Sequence, residues 1–126
     1  MPKLLIFAMA TLASMPAAAV TINFADFTST AGLSINGSAA AAVDGSNRNV
    51  LRVTPAIGGQ SGSVFSTSPI TLGAAYSFST RYTFNFNNQG NGGADGLVFV
   101  VQTNSNSVGG AGGGIGYAGI LNSVGI

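Results

Sequence analysis

The sequence predicts an all-β protein with the architecture of an antiparallel β-sandwich or jelly roll. Short runs of β-branched and aromatic residues alternate with turns rich in Gly, Asn and Ser. No amphipathic helical period of the usual length follows residue 19, whereas residues 76–86 alternate apolar and polar side chains. The 126 residues are enough for one domain and not for two.

Residues 1–19 have the pattern of a secretory signal peptide. Lys3 provides a short positive start, and an apolar run begins at Leu4. Ala17-Ala18-Ala19 matches the small-residue pattern that precedes signal cleavage. The apolar run is short for a membrane span. We therefore expect a secreted, extracellular protein without membrane insertion, whose single domain comprises residues 20–126.

The first half of the domain is predicted to contain four short strands, at Val20–Phe24, Leu33–Ile35, Asn49–Thr54 and Ser63–Ser66. Asn36-Gly37 and Asp44–Asn47 have the composition of tight turns. Residues 39–43 are compatible with either a strand or a helix. Asn36-Gly37-Ser38 also matches the N-glycosylation sequon, which is frequent by chance.

Residues 76–86 are predicted to form one long strand with an aromatic face. The even positions carry five aromatic side chains, Tyr76, Phe78, Tyr82, Phe84 and Phe86. Alternate residues of a strand share one face of the sheet. Because each aromatic side chain buries about 150–250 Å², this face is predicted to form much of the core rather than a ligand platform.

Residues 93–102 contain a carboxylate at the start of an apolar run. Leu97 to Val101 are all apolar, which is typical of a strand buried on both faces. Asp95 precedes this predicted strand within a glycine-rich segment. A carboxylate on such a rigid support can accept hydrogen bonds from a ligand without first being ordered. The alternative is that Asp95 only caps a turn, as Asp before Gly often does.

The composition argues against several classes of function. The chain has no Cys and no His, and its acidic residues are Asp26, Asp44 and Asp95. A net charge of +1 provides no electrostatic footprint for nucleic acid. Nucleophile–base pairs and paired catalytic carboxylates are not indicated. We therefore expect a protein that is not an enzyme; the sequence leaves its oligomeric state open.

Four segments, in chain order, resemble the legume-type (L-type) lectin domain. The segment from Gly93 to Val100 resembles the Ala-Asp-Gly motif of that family, and residues 112–117, here called the glycine loop, resemble its glycine-rich loop. Gly62–Ile70 and Phe78–Phe84 resemble two earlier strands. The likeness extends from about residue 22 to the end of the chain and implies a concanavalin-like jelly roll.

The resemblance also implies a site for glycans. In the family, the peptide bond between the residues matching Ala94 and Asp95 is cis, and the Asp carboxylate accepts hydrogen bonds from two sugar hydroxyls. A backbone N–H of the glycine loop donates to the same sugar. The matching donor is Gly113, or Gly114 if the register slips by one residue.

The sequence departs from the family in its metal ligands. The family carries a Glu-x-Asp motif after the glycine loop, which binds calcium and a transition metal, whereas this chain contains no Glu. The likeness thus corresponds to the N-terminal portion of such a domain, truncated before the metal-binding motif. We expect no metal in this chain, calcium and a transition metal only in a full-length domain, and weak or no sugar binding by the fragment.

Two functions are compatible with these features. The first is a secreted, non-catalytic carbohydrate-binding module of the lectin kind. The second is a structural or matrix surface protein that uses the same β scaffold without a sugar site.

Overall fold

The computed structural model describes residues 20–73, 76–89, 92–104 and 106–126. The predicted signal peptide lies outside these residues. Strands are β1 (Leu33–Gly37), β2 (Ala40–Val43), β3 (Asn49–Arg52), β4 (Gly62–Ser66), β5 (Val100–Gln102) and β6 (Ser123–Gly125). They form three antiparallel pairs, which confirms the predicted all-β, antiparallel class. Within the described ranges, no helix has the length and apolar character that crossing a bilayer requires.

The first sheet joins strands that are distant in the sequence. β1 pairs with β4, from Leu33 opposite Ser66 to Gly37 opposite Gly62. The tight turn predicted at Asn36-Gly37 is present, since the Ala39 N–H donates to the Asn36 carbonyl at 3.2 Å. This turn links β1 to β2, but the two strands belong to different sheets.

The second sheet is the hairpin of β2 and β3. Residues 40–43, for which the sequence allowed either a strand or a helix, form a strand. The turn of the hairpin is organised by Asp44, as the sequence predicts. The carboxylate accepts hydrogen bonds from the N–H groups of Ser46 and Arg48, both at 2.9 Å, and pairs with the Arg48 guanidinium at 2.7 Å. The side-chain hydrogen bond from Arg48 is the largest cause that lowers the pKa of Asp44 below 3.8.

This turn is expected to make the hairpin sensitive to acid. A carboxyl group with a lowered folded-state pKa stabilises the fold above its unfolded pKa, near 3.8, and the contribution is lost as the pH falls through the lower folded value. We expect Asp44→Asn to flatten the loss of stability below pH 4, with a small effect because the Arg48 partner is exposed to solvent. Urea unfolding at several pH values measures this. Parallel pH profiles for the two chains would contradict it.

The aromatic segment differs from its prediction. Residues 76–86 are not a strand, because no backbone hydrogen bond joins residues 77–86 to another described segment. Its five aromatic residues are 52–71% exposed, so the prediction that they form a buried face is wrong. Tyr82 stacks on Phe99 with ring centroids 5.9 Å apart, and Phe84 contacts Phe86 edge-on at 5.5 Å.

The apolar run after Asp95 is also less buried than predicted. Leu97 and Val101 are 37% and 38% exposed, and β5 begins only at Val100. β5 pairs with β6 along one edge, and reciprocal hydrogen bonds between Phe99 and Ile126 extend that pair. No described layer covers both faces, so the prediction of a doubly buried strand is wrong. The strand predicted at residues 20–24 is likewise not formed.

Two glycines from distant segments of the chain pack closely against each other. No hydrophobic residue in the described ranges is buried, whereas Gly62 of β4 and Gly116 of the glycine loop are. A Cβ on Gly116 would lie only 2.9 Å from the Gly62 carbonyl oxygen. The glycine loop is therefore seated directly on the backbone of β4, and this contact positions the candidate site.

Candidate functional site

Asp95 presents an exposed carboxylate at the entrance to β5. The peptide bond between Ala94 and Asp95 is cis. Within the described residues, the carboxylate accepts no hydrogen bond and makes no ion pair. Asp26 behaves differently, since it caps its own turn by accepting a hydrogen bond from the Thr28 N–H at 3.1 Å. Asp95 shows no such turn-capping bond, and its oxygens face solvent.

The glycine loop lies beside this carboxylate. The Oδ2 atom of Asp95 is 3.8 Å from the position that a Cβ on Gly112 would occupy. The Cγ2 atom of Ile115 is 3.9 Å from the corresponding position on Gly96. Two segments that are separated in the sequence thus meet at Asp95, and the lack of side chains on both glycines leaves the carboxylate accessible.

The glycine loop has backbone N–H groups that form no hydrogen bond within the described residues. Residues 112–114 form one 3₁₀ turn, in which the Gly114 N–H donates to the Ala111 carbonyl at 3.2 Å and the Ile115 N–H to the Gly112 carbonyl at 2.8 Å. The N–H groups of Gly112 and Gly113 have no acceptor among the described residues, as is usual for the first residues of a helical turn. Of the two predicted donors, Gly113 is free and Gly114 is engaged.

Two site residues were missed by reasoning from the sequence. Gly112 was not singled out, although it belongs to the same glycine run and is the one beside Asp95. Ile115 adopts a left-handed conformation with φ 46°, which is rare for a β-branched residue. The hydrogen bond of its N–H to Gly112 holds this turn. No sequence signal indicates it, because Ile is among the residues least expected there.

The segment before the glycine loop is anchored to the first sheet. The Asn36 amide donates to the Asn106 carbonyl and to the Ser63 hydroxyl, the latter at 3.3 Å. The Ser63 hydroxyl donates in turn to the Ser107 carbonyl at 3.2 Å. Asn36 and Ser63 are neighbours across the β1–β4 pair. The side-chain nitrogen of the predicted sequon is therefore engaged in holding the loop.

Asn36→Ala is expected to loosen this anchor. Each lost hydrogen bond typically contributes about 0.5–1.5 kcal/mol, so we expect a loss of about 1–2 kcal/mol in the free energy of unfolding. Urea unfolding measures it. Asn23→Ala is the matched control, since Asn23 is exposed and its amide bonds to no described residue. Equal stability of the two variants would contradict the anchoring role.

The described residues do not fit the metals that the resemblance implies. No group of three or more His, Cys, Asp or Glu side chains comes together in the described ranges. Calcium prefers six to eight oxygen ligands, several of them carboxylates. Asp26 and Asp44 are each engaged in a separate turn. Among the described residues, the candidate site therefore consists of Asp95 and the glycine loop.

The site occupies part of a wide groove. Asp95, Gly112 and Ile115 line an open space of about 1680 Å³ that also runs along β3 and the segment 82–89. Small-molecule pockets usually measure about 300–1,000 Å³. A small ligand held by Asp95 therefore fills only part of this groove, and the remainder is open to a larger molecule.

The described residues thus form an all-β domain in which an unpartnered carboxylate lies beside the glycine loop. Residues 19–124 match the legume lectin domain, and the chain therefore belongs to the legume lectin domain family. Domains of this family are β-sandwich jelly rolls, bind glycans and are in general not enzymes. No curated protein and no solved structure was found to match the chain.

Proposed function

We propose that the chain is a secreted, non-catalytic carbohydrate-binding module. Asp95 accepts hydrogen bonds from two hydroxyl groups of a sugar, and the Gly113 N–H, assisted by that of Gly112, donates to an oxygen of the same ring. The observation that carries this proposal is the position of the Asp95 carboxylate beside Gly112, with both groups free of partners among the described residues.

The chemistry of these groups suits a saccharide. Each sugar hydroxyl both donates and accepts, so a carboxylate that only accepts and an amide that only donates together select the orientation of adjacent hydroxyls. A hydrogen bond to a charged group contributes about 1.5–3 kcal/mol. At the lower end of that range, two or three such bonds contribute about 3–4.5 kcal/mol, which corresponds to a dissociation constant of around a millimolar. We therefore propose weak binding to single sugars, strengthened where many are displayed together.

The number and the partners of the carboxylates support the proposal that the module is not catalytic. Glycoside hydrolysis commonly requires two carboxyl groups about 5–10 Å apart on either side of the bond. The chain has only three carboxylate side chains, and those of Asp26 and Asp44 cap turns. Secretion is supported by the composition of residues 1–19. Calcium and a transition metal remain proposed only for a full-length domain.

A glycan array tests the function. The secreted chain, displayed on a multivalent carrier, is applied to arrayed neutral and charged glycans, and bound spots are eluted with the matching free sugar. We expect a restricted set of bound glycans that free sugar displaces at millimolar concentration. A folded chain that binds no arrayed glycan would contradict the proposal and favour a structural surface protein on the same scaffold.

A further inference from the structure

A second polar group, the side chain of Gln89, lines the same groove as Asp95. The Gln89 side chain folds back over Gly93, with its Nε2 atom 2.5 Å and its Cδ atom 2.7 Å from the position of a Cβ on that glycine. Gly93 has φ +73°, a conformation that glycine adopts readily. Any side chain at position 93 would displace the Gln89 amide. The glycine thus leaves room for that amide two residues before Asp95 in the chain.

The Gln89 amide is exposed and forms no hydrogen bond with the described residues. Gln60 lines the same groove but is satisfied by the protein. Its Oε1 atom accepts from the Ser38 hydroxyl at 2.5 Å, and its Nε2 atom donates to the Gly58 carbonyl at 3.2 Å. Gln60 therefore has a structural role, whereas the amide oxygen and the amide nitrogen of Gln89 are both available to a ligand.

We propose that Gln89 is a specificity-determining residue of the saccharide site. This inference rests on the proposed function, since it assumes that Asp95 holds a sugar. Asp95 can only accept and the glycine amides can only donate, but a glutamine amide does both. Gln89 therefore recognises one further hydroxyl of the sugar, beyond the pair that Asp95 holds. A site built to hydrogen-bond a hydroxyl discriminates against a ligand that lacks it.

The test pairs protein variants with deoxygenated sugars. NMR titrations first compare methyl glucoside, methyl mannoside and methyl galactoside as ligands of the wild-type chain. The monodeoxy derivatives of the best binder are then titrated into the wild-type chain, Gln89→Ala and Gln60→Ala. In the wild type, removal of the hydroxyl that Gln89 contacts is expected to weaken binding by about 2- to 10-fold, the range for one neutral hydrogen bond. In Gln89→Ala that penalty disappears, while the penalties for the hydroxyls held by Asp95 remain.

The outcomes separate this inference from the proposed function. For Gln60→Ala, removal of each sugar hydroxyl should weaken binding by the same factor as in the wild type. If the wild-type chain binds a sugar and Gln89→Ala retains all deoxygenation penalties, the role of Gln89 is refuted while the proposed function stands. If the folded wild-type chain binds none of the sugars tested here or on the array, or if Asp95→Ala binds as tightly as the wild type, the proposed site is refuted, and the role of Gln89 with it.

Discussion

Asp95→Ala is expected to abolish measurable sugar binding. The substitution removes the charged acceptor for two hydroxyl groups, each bond contributing about 1.5–3 kcal/mol. The combined loss corresponds to about 100-fold or more in affinity, which takes millimolar binding beyond detection. Asp95→Asn keeps one carbonyl acceptor without the charge and should lose less, about 10-fold. NMR titration with the best sugar from the array measures both variants.

Stability serves as the internal control for this result. The Asp95 carboxylate is exposed and bonds to no described residue, so its truncation should change the free energy of unfolding by no more than about 0.5 kcal/mol. Asp26→Asn is the matched carboxylate control, because that group is engaged with Thr28 and should leave binding unchanged. Wild-type affinity in Asp95→Ala would place the saccharide elsewhere.

Gly116→Ala is expected to be the most destabilising of the single substitutions considered. Its φ of +70° disfavours any residue with a Cβ, and the added carbon would lie 2.9 Å from the Gly62 carbonyl oxygen. The left-handed conformation alone costs about 1–2 kcal/mol, and displacing backbone adds to it. We expect a total loss of about 2–3 kcal/mol on urea unfolding, together with weaker sugar binding as the glycine loop moves away from Asp95.

Gly119→Ala separates the two causes of this loss. Gly119 has a similar φ of +89°, but a Cβ there would meet nothing within 4 Å. It should therefore show only the conformational cost, and its sugar binding should be unchanged. If the two glycine variants lose equal stability and bind sugar equally well, the seating of the glycine loop on β4 does not control the site.

Local chemistry made part of the fold predictable. The Asp44 turn forms where Asp, Gly, Ser and Asn follow one another, because a short carboxylate bonds to the backbone two and four residues on. Pairing between distant segments was not predictable in this way. The alternation of residues 76–86 is compatible with a strand, but a strand also needs a neighbour to complete its hydrogen bonds, and that neighbour is not encoded in the segment itself.

The candidate site, like the fold, was predictable from the sequence only in part. Asp95 was singled out because it precedes an apolar run within a glycine-rich segment, and Gly113 because the glycine loop resembles that of the legume-type lectin domain. The position of Gly112 beside Asp95 is a property of packing, in which the glycine loop is seated on Gly62 of β4, and not of any short pattern. The left-handed conformation of Ile115 and the fold of Gln89 over Gly93 are likewise set by neighbouring backbone, so residue type alone does not indicate them.

Backbone amide NMR during a sugar titration is the most direct test of the saccharide site. With ¹⁵N-labelled chain and the best sugar from the array, we expect progressive shifts of the Asp95, Gly112 and Gly113 signals in the wild type and no such shifts in Asp95→Ala. Shifts confined to the exposed aromatic segment at residues 82–86, with Asp95 and the glycine loop unchanged, would contradict it.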